Sequence, residues 1–346
     1  MSTETSLYKL NVYITHFVPP KSNMFTKVKQ FITSRCNTSY IRSWARLLKY
    51  RTRGHQPWKK DAMTQVRAND YPNRYKYLSK VLDELADLKV NQLVVNIFSN
   101  SNEVELELAK FGNYSKVKFH YFTKYNKMNV FNNSPWVYDD ERSPWLLTWE
   151  HKSALKRELL DSDENTLFLY IENDMKFTQK NLDYWLKAKS KLVGTSLIPA
   201  FVRVEESLNS NQWVAIDHFG GRPSTYKNLP KYSTADEVYA QLDNPYCACY
   251  LLDKELATEF VNSKAFDEKT SRELTWWDIG ARAAMGLGFV NPPTGFKSRH
   301  VVPVKKADNY YQIKEEAKLH HLPNIYSQVV ASGNNYLVVD KIIIDE

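Results

Sequence analysis

Residues 167–177 read Leu167-Phe168-Leu169-Tyr170-Ile171-Glu172-Asn173-Asp174-Met175-Lys176-Phe177. Five apolar or aromatic residues in succession predict a strand buried on both faces, as in the middle of a parallel sheet. The run ends on two carboxylates, Glu172 and Asp174, one residue apart. Ligands of an open α/β sheet bind beyond the carboxyl ends of its strands, so these acids stand where a ligand would stand. Two hard oxygen donors on a turning backbone suit a divalent cation that keeps positions open for phosphate oxygens. The stretch therefore predicts an α/β fold with a metal–diphosphate site at the sheet edge.

Spacing alone does not carry this reading. With 39 acidic residues among 346, acid-x-acid triplets arise about four times by chance. Asp161-Ser162-Asp163 and Glu103-Val104-Glu105-Leu106-Glu107 are examples, and their polar or helix-like surroundings read as solvated faces. Glu172 and Asp174 differ because a full apolar strand delivers them.

Working outward, strand and helix patterns alternate. Residues 10–17 predict a first strand closed by Pro19-Pro20, and residues 92–98 and 117–122 two more. In 74–88 the apolar residues Tyr77, Leu78, Val81, Leu82, Leu85 and Leu88 recur at three and four, the period of an amphipathic helix. Ser143-Pro144 opens a helix expected over 145–160, and another is expected near 180–192. This rhythm implies right-handed crossovers and a mainly parallel central sheet flanked by helices. The second half is less regular: strands are expected at 200–205, 247–252, 336–339 and 342–344, and a helix over 281–285 that stops at Gly286 and Gly288. With no repeat or low-complexity linker, residues 1–346 are expected to form one elaborated domain.

Composition excludes several classes. A 43 % hydrophobic chain of this length can bury a sizeable core, and it has no apolar run of the roughly 18 residues that a membrane span needs. Met1-Ser2-Thr3-Glu4-Thr5-Ser6 lacks the features of a secretory leader. Cys36, Cys247 and Cys249 make neither a disulfide framework nor a four-ligand zinc site, so a reducing cytoplasm is expected. Ten glycines form no G-x-G-x-x-G and no G-x-x-x-x-G-K-[ST], which argues against a dinucleotide-binding dehydrogenase or a P-loop enzyme.

The net charge of +8 has one source. Residues 21–60 carry eleven Lys/Arg and no Asp or Glu, which leaves the remainder slightly acidic. Aromatics (Phe25, Phe31, Tyr40, Trp44, Tyr50 and Trp58) are interleaved with the charges. The segment, placed within 18–70, is expected to be a basic helical insertion after the first strand. Its mixture suits a polyanion, a nucleic acid or an anionic membrane surface, and equally a wet amphipathic face.

The order strand–helix–Leu147-Thr148-Trp149-Glu150-His151-Lys152–helix–Tyr170-Ile171-Glu172-Asn173-Asp174-Met175-Lys176-Phe177 resembles glycosyltransferases of the GT-A fold. Phe201-Val202-Arg203-Val204-Glu205, Leu242-Asp243-Asn244-Pro245-Tyr246 and His320-His321-Leu322-Pro323-Asn324 look similar to segments of one branch of such proteins. The resemblance covers about residues 8–325, without the basic insertion. It implies a single Rossmann-like nucleotide-binding domain whose Asp-x-Asp-like motif holds Mn²⁺ or Mg²⁺ against a nucleotide-sugar, on prevalence a UDP-sugar. One departure is that Glu172 stands where the first Asp is usual. Carried over, Asp174 is a direct metal ligand, Glu172 binds metal-bound water or the donor's ribose or sugar, and a late histidine, His320 or His321, is the third ligand.

The remaining roles follow from chemistry. Asp278, at a helix start beside Trp276 and Trp277, is the candidate general base of an inverting transfer to an acceptor hydroxyl; an N-cap is the alternative. Thr15, His16, Asn96 and Ser99, near the carboxyl ends of the first two strands, are expected to form the base and ribose pocket. His151 and Lys152 are expected to face the diphosphate or sugar. Arg203 and Glu205 contact donor or acceptor, or form a structural ion pair. The competing class is a non-catalytic α/β protein that binds a nucleic acid or polyanion through residues 21–60.

Overall fold

The computed structural model describes residues 7–18, 70–126, 144–207, 212–217, 229–242, 244–275, 277–308, 310–327, 337–339 and 342. The basic segment 21–60 and Trp276 lie outside them. In chain order the first half comprises β1 (Lys9–His16), α1 (Arg74–Ala86), β2 (Gln92–Ser99), α2 (Glu103–Leu108), β3 (Val117–Tyr121), α3 (His151–Leu160), β4 (Thr166–Glu172), β5 (Met175–Lys176) and α4 (Gln179–Lys191). The second half adds β6 (Ile198–Pro199), β7 (Val202–Glu206), β8 (Trp213–Ala215), β9 (Lys231–Ser233), β10 (Val238–Ala240), β11 (Cys249–Leu252), α5 (Lys254–Val261), α6 (Ile279–Ala283), β12 (His300–Ala307), β13 (Tyr310–Ile313), β14 (Lys318–His321) and β15 (Leu337–Val338). The protein is thus α/β, with mixed sheets flanked by helices. Among the described residues no helix is long and apolar enough to cross a membrane.

The central sheet runs β11-β4-β1-β2-β3, with β1 to β4 mutually parallel and β11 antiparallel at the edge. Leu167 to Ile171 are each 0 % exposed, as a strand covered on both faces requires. Each such large apolar side chain contributes about 1.5–3 kcal/mol through burial. On α1, Leu78, Val81, Leu82 and Leu85 face the core as their period predicts, but Tyr75 replaces Tyr77 there. Tyr77 instead donates its hydroxyl to Asp70 at 2.6 Å.

"Mainly parallel" holds for that sheet alone. A second sheet runs β15-β8-β7-β14-β5, and a third runs β13-β12-β10-β9 with β6 beside β12; of these pairings only β7 with β14 and β6 with β12 are parallel. Short strands separated by short connections return on themselves, and antiparallel pairs need no crossover helix. The helix expected over 145–160 divides into a 3-10 segment, Pro144–Trp149, and α3. α6 begins before 281 because Asp278 caps it, accepting from Ala281 N at 2.8 Å. Gly286 ends this region at φ +52, where an added Cβ would stand 3.1 Å from Tyr250 Cβ.

Candidate functional site

Strand pairing builds the site. β4 ends at Glu172, whose N–H donates to the carbonyl of Ala248 (φ +58) just before β11. The chain turns through Asn173 and Asp174 into β5, which pairs antiparallel with β14, His321 opposite Met175. Leu322 N donates to Asp174 O at 2.9 Å, locking the end of β14 against that turn. β14 in turn runs parallel to β7, so Arg203 and Glu205 lie across from it. Side chains two apart on a strand share a face and adjacent ones do not. Arg203 and Glu205 therefore point together, and His320 and His321 point apart.

The resulting cluster holds four carboxylates and two cations. His321 faces Glu205 through Nδ1 at 2.5 Å and Asp174 Oδ2 through Nε2 at 3.2 Å. Glu205 Oε2 also accepts from Ser327 N at 2.6 Å. Arg203 forks onto Asp217, Nε at 2.8 Å from Oδ2 and the terminal nitrogen closer still to Oδ1, and turns its third nitrogen toward Glu172 at 3.5 Å. Its guanidinium lies over the rings of Tyr246 and Tyr326, at 5.1 and 5.5 Å. Tyr246 donates its hydroxyl to Glu172 at 2.7 Å and stacks against Trp277.

Exposure shows which side is open. The side chains of Arg203, Glu205, Asp217 and His321 keep 8, 0, 6 and 2 %, whereas Glu172 keeps 28 % and Asp174 26 %. The two motif acids are the wet face of a dry cluster.

Charge states follow from that setting. Burial opposes a charged His321, but the two carboxylates outweigh it and raise the imidazole to about 9. Burial likewise opposes ionisation of Asp174, and the positive His321 and Arg203 override it, holding the carboxyl below the usual range. Glu172 is pushed up to about 7 by burial and by Asp174, against the pull of Arg203. Burial also raises Asp217, again against Arg203. An excess of two negative charges in a poorly hydrated pocket is costly unless a cation offsets it.

The residues present fit a divalent cation. Asp174 Oδ1 is buried and, among the described residues, has no hydrogen-bond partner. Glu205 on Nδ1 leaves Nε2 of His321, once deprotonated, aimed at Asp174, the carboxylate–histidine arrangement that orients a metal-bound imidazole. Among the described residues no group of three or more His, Cys, Asp or Glu side chains converges as a metal cage. One or two carboxylates, with the remainder from water and phosphate, commonly hold Mg²⁺ at phosphate sites; here Asp174 is the carboxylate, and Nε2 of His321 would be a further donor.

Several expected residues do other work. His320 points away from Asp174, stacks on Trp213 at 4.2 Å and approaches Glu315, because the strand alternates. His151 spends Nδ1 on Thr148 O and Nε2 on Tyr250 Oη, both at 2.6 Å. Lys152 donates to Ala265 O at 2.7 Å beneath the Trp149 ring. Both lie inside the core and do not face a ligand pocket. Asn96 sits opposite Tyr13, within β2 and not at its end, and binds Glu158 and His120. Thr15 pairs in register with Glu172, and His16 with Ser99, so Thr15, His16 and Ser99 do reach the sheet's carboxyl edge. Asp278 is the cap of α6, one residue from Trp277.

Sequence reasoning passed over Asp217, Asn173 and Tyr326. Asp217 follows a three-residue strand and carries no motif, so its signal exists only in space. Tyr246 was visible as part of a quoted segment, without a role. No protein-family model matches the chain, and no curated protein matches it.

Proposed function

We propose that the protein is a metal-dependent glycosyltransferase of GT-A type, moving a hexosyl group from a nucleotide-diphosphate donor, UDP-linked by first choice, to a hydroxyl acceptor. The observation that carries this reading is Asp174 at the carboxyl end of a buried parallel strand, 3.2 Å from His321 Nε2, with a second, buried oxygen unpartnered. Asp174 and the deprotonated His321 would hold Mn²⁺ or Mg²⁺. That ion, when bound, neutralises charge on the departing diphosphate.

The chain's own residues supply the rest. Glu205 keeps the His321 ring in one orientation by accepting at Nδ1. Asp217 fixes Arg203, and Arg203 with Tyr246 holds the more exposed Glu172, which is left to bind hydroxyls of the donor ribose or sugar. Thr15 and Ser99 line the nucleotide side of the edge. Asp278, at the cap of α6, is the proposed base that takes the acceptor's proton, and the reaction inverts.

A panel of nucleotide-sugars, each with Mn²⁺, tests the reading through free diphosphate release and through melting temperature. Release with one donor, dependent on the metal and accompanied by a raised Tm, is expected. A chain that neither hydrolyses nor is stabilised by any donor overturns it. The charge of residues 21–60 favours a second reading, binding of a nucleic acid or other polyanion without catalysis. Tight, steeply salt-dependent binding of a polyanion, with no donor turnover, would establish that alternative.

A further inference from the structure

His16 is 0 % exposed at the end of β1, and its two ring nitrogens are treated differently. Asn173, the middle residue of the acidic motif, donates Nδ2 to Nδ1 at 2.6 Å. With the Asn173 amide assigned this orientation, Nδ1 is the acceptor and the ring proton is assigned to Nε2. Among the described residues Nε2 has no hydrogen-bond partner. The ring lies against Tyr75 at 5.2 Å, in the first turn of α1. Arg74 rests on the same Tyr75 ring at 4.3 Å and donates to its hydroxyl at 3.1 Å. Burial, helped by the charge of Arg74 and against that of Asp174, lowers His16 to about 3, so the imidazole stays neutral in ordinary buffers.

A buried polar group without a partner calls for an absent ligand or water. Here the unpartnered group is a neutral donor, a guanidinium stands nearby, and the candidate cation ligand Asp174 follows the residue that fixes the tautomer. Metal ligation does not suit a nitrogen that carries its proton. Oxygen atoms of a phosphate meet all three features: they accept from N–H, attract the guanidinium and bridge to a divalent cation.

We infer that His16 Nε2–H, with Arg74, receives the phosphate oxygens of a nucleoside diphosphate, Asn173 setting the tautomer that makes this possible. This assigns His16 to the diphosphate and not to the base and ribose pocket. The inference rests on the nucleotide-donor reading above, and deepens it by naming the phosphate contacts on the β1 side of the cation ligand.

The test uses the full chain with Mg²⁺ and three probes: UDP, uridine and inorganic pyrophosphate. His16→Phe keeps a ring and removes the donor; His16→Gln restores an N–H. In ¹⁵N-histidine spectra the wild-type His16 should show an Nε2–H tautomer whose proton moves downfield on adding Mg²⁺–UDP. His16→Phe should weaken UDP and pyrophosphate binding about tenfold, the size of one lost hydrogen bond to a charged group, with His16→Gln recovering most of it. Uridine binding should not change. Equal UDP affinity in wild type and His16→Phe overturns the inference, as does an equal loss for uridine and UDP, which would place His16 at the nucleoside or in the fold. A shift of the Nε2–H signal with uridine alone does the same. Should His16→Phe fail to fold, a wild-type Nε2–H signal indifferent to Mg²⁺–UDP and Mg²⁺–pyrophosphate overturns it, and a shift with either phosphate sustains it. Binding of pyrophosphate that depends on His16, in a chain that binds no nucleoside diphosphate, would sustain the phosphate site while the donor reading fell.

Discussion

Among the described residues, the buried polar groups around α3 and those at the end of β4 differ in how far their hydrogen-bonding capacity is met. Around α3, His151 uses both ring nitrogens and Lys152 spends its ammonium on a carbonyl under aromatic rings. Burial drives both groups well below their ordinary pKa, toward the neutral form. At the end of β4, by contrast, four carboxylates meet two cations, and oxygen and nitrogen atoms of Asp174 and His16 remain unpartnered. Burial and a shifted pKa are common to both clusters, so neither property identifies a site. Missing partners and uncompensated charge do, because a folded chain tolerates them only where a ligand can supply what is absent.

The sharpest break of this comparison is Asp174→Asn. Removing one of two excess negative charges should leave the fold intact while donor hydrolysis falls by about three orders of magnitude, the scale of several kcal/mol of charge stabilisation. Diphosphate release together with Tm in metal-free buffer reads both effects; an active variant with unchanged metal dependence removes the proposed cation site.

The two adjacent histidines come next. His321→Ala should weaken Mn²⁺ binding by at least about 10–100-fold, whereas His320→Ala should leave it unchanged and cost about 0.5–1.5 kcal/mol through its lost stack on Trp213. Titration calorimetry with Mn²⁺ separates them. Equal effects from the two would mean that the strand's alternation does not select the ligand.

Stability against pH gives a smaller signal with a definite sign. His321 is raised from 6.5 to about 9, so between those values the folded chain keeps a proton on this imidazole that the unfolded one has lost. Taken as the difference from His321→Ala, which removes the opposing contribution of the buried neutral His16, His151 and Lys152, stability in EDTA should therefore fall as pH rises from about 6.5 to 9, by at most roughly 1.4 kcal/mol per unit. Mn²⁺ competes with the His321 proton, so saturating metal should flatten the slope. Melting curves in EDTA and in Mn²⁺ across that range decide it, and parallel slopes would count against His321 as ligand.

The smallest expected effect on function is in the satisfied cluster. Lys152→Met leaves Ala265 O without its donor and should cost about 1–3 kcal/mol of stability. Donor hydrolysis per folded molecule should stay at the wild-type value, measured beside urea unfolding. A Lys152 variant that folds normally and loses donor binding would erase the distinction between the clusters.

The amino-acid sequence by itself pointed to the central strand, since a short run of five apolar residues rich in aromatic and β-branched types suits two-sided burial in a sheet, and with it to the position of Glu172 and Asp174 at the sheet's edge. It determined α1 through its apolar period, Tyr77 apart, and offered the cap of α6 as one of two roles for Asp278. Proximity in space was beyond it. Nothing in His320-His321 says which ring turns inward until β14 takes its register against β5 and β7. Asp217 becomes a partner of Arg203 only when β8 folds back on β7. The pairing of Asn173 with His16 joins residues 157 apart in the chain. Local pattern follows from neighbours along the backbone, whereas a site of this kind is assembled by strand register across the molecule, and register is a property of the whole packed sheet.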